Sequence, residues 1–202
     1  MIATTYKAVF NRLLHPLAAT LARAGIHPSV LTLATPLLTT VNCISFLRHK
    51  SVGVFCFAML FVGCFDALDG AVARAGHKAS ALGAYLDAMC DRYVDIIVGL
   101  TVAVFTGYWL LVMIVLTGGL LVSYAKARAA IEVPVDNLEW PDLMERTERG
   151  LIFLAGLAAG ALIPWHPMEK DLFWWTLVAL SVLIHATVIQ RMLRAARFIR
   201  AL

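Results

Sequence analysis

Charged side chains are in short supply in this 202-residue chain. Lysine, arginine, aspartate and glutamate make up 15% of it, where a soluble domain carries about 25%. That shortfall excludes an ordinary water-soluble globule. Cysteine is sparse as well: Cys43, Cys56, Cys64 and Cys90 fall in or beside apolar runs and form no C-x-x-C pair. This excludes a disulfide framework and a zinc ribbon and leaves them as small packing residues. The histidines (His15, His27, His49, His77, His166, His185) are scattered, with none at ligand spacing. A cleavable signal is also lacking. The first 25 residues mix Lys7, Arg12, His15 and Arg23 among apolar positions and contain no clean apolar core, so this segment is expected to stay in the mature protein.

What is present in excess is apolar: 61% of residues are hydrophobic and the mean hydropathy is +0.81. The expected fold class is an all-α integral membrane protein. Residues 1–25 carry Tyr6, Val9, Phe10, Leu13, Leu14, Leu17 and Leu21 at helical spacing with Lys7, Arg12 and Arg23 between them, which predicts an amphipathic helix lying in the membrane interface. Gly25 and then Pro28 end it. Six transmembrane helices follow, at roughly 29–47, 52–74, 82–105, 108–130, 148–164 and 171–190. They form one bundle over 29–190, followed by a basic cytoplasmic tail at 191–202. The first span is unusually polar, with Thr32, Thr35, Pro36, Thr39, Thr40 and Asn42, so it is expected to face protein or a cavity.

Placing the N-terminus inside leaves only Arg48, Lys50 and Lys170 outside, of the 17 lysines and arginines. The positive-inside rule favours that orientation, with both termini cytoplasmic. The net charge of +4 then reports topology and contact with anionic headgroups, and no nucleic-acid partner is expected. Trp109, Trp165, Trp174 and Trp175 fall at the predicted outer ends, as an interfacial belt does. Gly118 and Gly119, with Ala155, Gly156, Ala158, Ala159 and Gly160, predict close helix packing or a dimer contact.

Against this apolar background stand four aspartates. Asp66 and Asp69 are three apart, and Asp87 and Asp91 four apart, so on helices each pair shares one face. Carboxylates inside membrane helices are costly and usually meet a cavity, a metal or a partner. With Gly76 as a C-cap and Ser80 as an N-cap, the two helices form a hairpin with both pairs at one cytoplasmic depth. Carboxylates without nearby thiols or imidazoles favour a hard cation such as Mg²⁺, Mn²⁺ or Ca²⁺. Two pairs could hold two ions about 3.5–4 Å apart, as used for displacement at phosphorus. Gly70, Ala73 and Gly83 leave these faces without bulk, and Arg74 offers a fork for phosphate. Ion pairing that merely ties the bundle together would have only Arg74 and Arg92 to draw on. A cation channel or carrier would place its acids near mid-membrane on a path open to both sides.

The pattern Asp66-x2-Asp69-Gly70-x2-Ala73-Arg74-x8-Gly83-x3-Asp87-x3-Asp91 resembles, in full, the signature of the CDP-alcohol phosphotransferases. Six spans behind an interfacial helix also resemble that family. The resemblance implies transfer of a phospho-alcohol group from a CDP-linked lipid to a hydroxyl, with release of CMP. It further implies that Asp66, Asp69, Asp87 and Asp91 ligate two divalent cations, Mg²⁺ or Mn²⁺, and that Asp91 is also the general base. Asp66, Asp69, Gly70, Ala73, Arg74, Ser80 and Gly83 would bind CDP, and the enzyme would be a homodimer in a prokaryotic cell membrane.

For the acceptor, Asp87-Ala-Met-Cys-Asp91-Arg92 with Asp95, Ser123-Tyr124-Ala-Lys126-Ala-Arg128-Ala, and Glu145-Arg146-Thr-Glu148-Arg149 resemble the inositol-phosphate branch. The segment Val133–Trp140 departs from the glycine-rich stretch expected there. Lys126, Arg128, Arg146, Arg149 and Arg191, all on the cytoplasmic side, suit a dianionic, phosphorylated acceptor. Glycerol 3-phosphate and serine are the alternatives. Asp95, about 18 Å along its helix from Gly83, is placed either to bind acceptor hydroxyls or to pair with a neighbouring helix. Diacylglycerol and archaeol donors would both present apolar chains to the same bundle.

Overall fold

The computed structural model describes residues 14–132 and 143–200. The first half of the proposed interfacial helix and the Val133–Trp140 segment therefore lie outside the described residues. Among those described there are helices and no strand. Residues 14–23 form α1, followed by α2 (Pro28–His49), α3 (Val52–Ala75), α4 (Ala81–Thr106), α5 (Trp109–Glu132), α6 (Arg146–Leu162), a 3₁₀ turn (Pro167–Glu169) and α7 (Leu172–Arg200). The chain divides into two compact units, Met1–Val98 and Gly99–Leu202.

Helix boundaries follow local chemistry. Gly25 (φ 79°) closes α1 in the left-handed region, with Ile26 N–H donating to the Leu21 carbonyl at 3.2 Å. Pro28 then opens α2, where its missing N–H costs nothing. The end of α3 has the expected glycine at its cap. Gly76 occupies the cap position with φ −92°, and the left-handed residue is His77 (φ 51°). Lys78 N–H reaches the Ala73 carbonyl at 2.9 Å and His77 N–H the Arg74 carbonyl at 3.3 Å. That is a Schellman closure, with His77 taking the left-handed position that follows the cap. Ser80 does cap α4: its Oγ accepts from Gly83 N–H at 3.1 Å. The basic tail continues α7, which stays helical to Arg200. No glycine or proline interrupts the arginine-, alanine- and leucine-rich stretch after Ile189.

Four of these helices, α2, α3, α5 and α7, are long and apolar enough to cross a membrane. Helix α4 carries Asp87, Asp91, Arg92 and Asp95, and α6 has only 17 residues. Large apolar side chains face outward, among them Leu37 (68% exposed), Phe57 (75%) and Leu110 (74%). Surfaces of this kind belong against lipid, and the protein is an integral membrane protein.

In the first unit, α2 packs on α3. Its threonines turn inward, with Thr32, Thr35 and Thr39 all buried. Thr35 and Thr39 satisfy their hydroxyls within the helix, donating to the carbonyls of Leu31 (3.2 Å) and Thr35 (2.9 Å). This back-bonding lets a polar helix sit in apolar surroundings. At one end of the pair Phe46 stacks on Phe55 with centroids 4.3 Å apart, and Asn42 Nδ2 donates to the Phe55 carbonyl at 3.2 Å. At the other, Ala18 of α1, Leu31 of α2 and Leu68, Ala71 and Val72 of α3 form a buried cluster, flanked by Leu14, Leu21, Ala22 and Phe65.

In the second unit, α7 is the hub, packing on α5 and α6, with Phe173, Leu177, Leu180 and Ile184 fully buried. Glycines permit this approach. A Cβ at Gly118 would lie 2.6 Å from Ile184 Cγ2, and one at Gly160 would lie 2.9 Å from Phe173 Cβ. These small residues are consumed by packing within the chain, whereas Gly119 has nothing within 4 Å of its Cβ position. Tyr108 Oη donates to Asp171 Oδ2 at 2.9 Å, while Asp171 Oδ1 caps α7 by accepting from Trp174 N–H at 2.8 Å.

Candidate metal centre and anion-binding residues

Asp66 and Asp69 lie one turn apart near the end of α3, and Asp87 lies in the second turn of α4. Their carboxylates converge: one oxygen from each lies within 4.8 Å of the others. Burial is graded, from Asp69 at 8% exposure through half-buried Asp66 to the more open Asp87. Three like charges so close repel one another, and a hard, multiply charged cation is what offsets them. Oxygen-only donors without thiol or imidazole fit a divalent ion of the magnesium or manganese type.

Asp91 lies outside this trio. It follows Asp87 by one turn on α4, its side chain is 15% exposed, and its Oδ2 is 3.5 Å from Nη1 of Arg92. Arg92 also donates to the Ala88 carbonyl at 2.9 Å, which holds the guanidinium along α4 beside that carboxylate. Asp95 is half-buried one further turn on.

The small residues keep the acidic faces open. A Cβ at Gly70 would meet only Nη1 of Arg74, at 3.3 Å, so the guanidinium folds back over Gly70 toward the acidic end of α3. At Gly83 a Cβ would meet only Ser80 Oγ, at 3.2 Å. Beside this end of α3 runs a shallow groove of about 350 Å³ lined by His15, Arg23, Ala75 and Gly76, among others.

One contributor was missed on the sequence alone. Thr32, on α2, donates its hydroxyl to Oδ2 of Asp69. The polarity of the first span pointed to a protein-facing helix, but nothing in the spacing connects residue 32 with residue 69.

The basic residues separate into kinds. Arg191, 7% exposed on α7, donates to the Val122 carbonyl of α5. Val122 lies one turn before Lys126 on the same helix. Gln190, next to Arg191, accepts from Leu143 N–H at 3.0 Å, which brings the approach to α6 against this part of α7. Arg146 and Arg149 follow in the first turn of α6, where Glu145 N–H donates to Glu148 Oε2 at 3.0 Å and Arg149 Nη1 is 3.5 Å from the Met144 carbonyl. Arg128 is different: it is half-exposed and pairs with Glu132 at 2.8 Å.

The family model described as CDP-alcohol phosphatidyltransferase matches residues 25–186. The chain belongs to the CDP-alcohol phosphatidyltransferase family. It is therefore a transferase, and the channel or carrier alternative falls. Among relatives, the archaetidylinositol phosphate synthase of Methanothermobacter thermautotrophicus is 36% identical over 195 residues, covering 93% of this chain and 91% of that one. The phosphatidylinositol phosphate synthase of Mycobacteroides abscessus is 33% identical, covering 92% and 84%. The crystal structure of Mycobacterium tuberculosis phosphatidylinositol phosphate synthase with CDP-DAG bound superposes with a TM-score of 0.79 at 27% identity, covering 91% of this chain and 94% of that one. The same enzyme in complex with manganese and citrate gives 0.77, covering 90% and 88%. A divalent metal thus accords with both the donor chemistry of this CDP-alcohol phosphatidyltransferase and the company it keeps.

Proposed function

We propose that this transferase moves the phosphatidyl-type group of a CDP-linked lipid, CDP-diacylglycerol or CDP-archaeol, onto a hydroxyl of inositol phosphate and releases CMP. The observation that carries the reading is the convergence of Asp66, Asp69 and Asp87 on two helices, in a chain whose relatives of matching length are archaetidylinositol phosphate and phosphatidylinositol phosphate synthases. Asp66, Asp69 and Asp87 hold one divalent cation, and Asp91 completes the set for a second. When bound, the cations neutralise the pyrophosphate and the departing CMP.

The chain's own groups do the rest. Gly70, Ala73 and Gly83 let the nucleotide approach the backbone, and Arg74 pairs with a phosphate. Ser80, whose oxygen already accepts from Gly83, keeps its hydroxyl hydrogen to donate to CDP. Asp91 takes the proton from the acceptor hydroxyl as that oxygen bonds to phosphorus and the bond from phosphorus to the CMP oxygen breaks. Lys126, Arg146, Arg149 and Arg191 seat the acceptor phosphate, with Arg128 at the rim, and Asp95 accepts from acceptor hydroxyls.

The same reading has the whole chain working as one membrane domain. Helices α2–α7 all cross the bilayer, with the acids of α4 turned inward, and α1 lies in the interface. Both termini and the site are cytoplasmic in a prokaryotic membrane, and two copies associate. The lysine and arginine distribution supports the sidedness. Single cysteines introduced near Lys78 and Lys170 and labelled in sealed vesicles should react from opposite faces.

The deciding experiment is an acceptor panel with both CDP-lipids, following CMP release from the purified protein. Inositol phosphate should be turned over at least tenfold faster than glycerol 3-phosphate or serine. Preference for either of those would overturn the acceptor and leave the transferase chemistry standing.

A further inference from the structure

We infer that Thr32 is a positioning residue for the metal centre: its hydroxyl, donated across from α2, holds the Asp69 carboxylate in the orientation that meets Asp66 and Asp87. Both partners are buried, Thr32 at 3% exposure and Asp69 at 8%, so water does not substitute for either. A hydroxyl has one hydrogen to give. Its other acceptor, the Pro28 carbonyl, is 3.3 Å away and neutral, whereas Oδ2 of Asp69 belongs to a carboxylate, the stronger acceptor. Thr35 and Thr39 face the same way on α2 but spend their hydroxyls on carbonyls of their own helix. Thr32 spends its on a carboxylate 37 residues away in sequence.

Packing fixes the geometry of this contact. Leu31 and Leu68, the immediate neighbours of the two residues, belong to the same buried cluster with Ala18, Ala71 and Val72, so α2 cannot shift its donor without repacking. A carboxylate has two oxygens and rotates about its Cβ–Cγ bond. Anchoring one oxygen restricts the arrangements the group samples and leaves the other oxygen to turn toward Asp66 and Asp87. Partners of metal-ligating carboxylates typically set affinity or activity by 10–100-fold. The hydrogen bond also ties the metal centre to the α1–α2–α3 core, since the donor comes from a helix that carries none of the carboxylates.

The inference rests on Asp69 being a metal ligand, and the test separates the two. Mn²⁺ binding is measured on purified full-length protein in detergent, without substrate, from the electron paramagnetic resonance signal of free Mn²⁺. Thr32→Val keeps the shape and removes the donor, and its Mn²⁺ affinity should fall about 10–100-fold. Thr32→Ser keeps the hydroxyl and should stay within about threefold of the unsubstituted protein. In turnover, the valine variant should show a raised metal requirement, with much of kcat recovered at saturating Mn²⁺. A merely structural role would lower the melting temperature and leave the metal titration unmoved. Unchanged affinity in T32V, or a serine variant as weak as the valine one, overturns the inference. If T32V does not fold, Thr32→Ala removes the same donor and is held to the same criterion. Asp69→Asn is the control: intact binding there refutes Asp69 as a ligand, while lost binding there with intact binding in T32V refutes only the role of Thr32.

Discussion

Replacing Asp91 by asparagine tests the division of labour on α4. The change is nearly isosteric and removes the charge that faces Arg92 at 3.5 Å. Arg92 keeps its bond to the Ala88 carbonyl and remains partly exposed, so the fold should tolerate the substitution. The carboxylates of Asp66, Asp69 and Asp87, which converge within 4.8 Å without Asp91, should still retain one Mn²⁺. What is lost is the group that takes the acceptor proton. General bases contribute about 10²–10⁴-fold, or about 3–5 kcal/mol of barrier. CMP release at saturating CDP-lipid, acceptor and metal should therefore drop by that factor in kcat, with CDP-lipid affinity within about tenfold. Two results would refute the reasoning. Near-normal turnover removes Asp91 from proton transfer, and complete loss of Mn²⁺ binding makes it an essential ligand for the first ion.

The remaining predictions concern the acceptor, the metal and the packing. Arg191→Met should raise the acceptor KM about 10–100-fold, the worth of a charge-assisted hydrogen bond of about 1.5–3 kcal/mol, with the CDP-lipid KM unmoved. Arg128→Ala, which loses only an exposed pair with Glu132, should shift the same KM less than about threefold. Chelation by EDTA should abolish CMP release, and added Mg²⁺ or Mn²⁺ should restore it. Gly118→Ala drives a methyl into Ile184 and His185 and should cost about 1–3 kcal/mol by thermal unfolding in detergent. Gly119→Ala meets nothing and should gain up to about 1 kcal/mol from helix propensity.

Much of this protein was legible along the chain because its signals are local. A bilayer demands about 20 apolar residues per span, and the predicted spans end within a few residues of α2–α6. Helical spacing of three and four residues put Asp66 beside Asp69 and Asp87 beside Asp91, and carboxylates in so apolar a chain marked the candidate site, where three of them converge. Ser80 ahead of Gly83 announced the cap of α4. Gly76 marked the end of α3 in the same way, although the left-handed residue is its neighbour His77, and the basic end of the chain continues α7 to Arg200.

Tertiary packing decided what spacing cannot encode. Which three of the four carboxylates converge depends on how α3 and α4 are rotated. Whether a glycine-rich stripe serves another copy or the same chain depends on which helix lies against it, and Gly118, Gly156 and Gly160 are filled by α7. The pairing of Thr32 with Asp69 needs two helices to meet at one depth, and a threonine looks the same in sequence whether its hydroxyl bonds its own helix or a neighbour's. Residue types and periods are written into each helix separately. The partner of a side chain is set only when the helices pack.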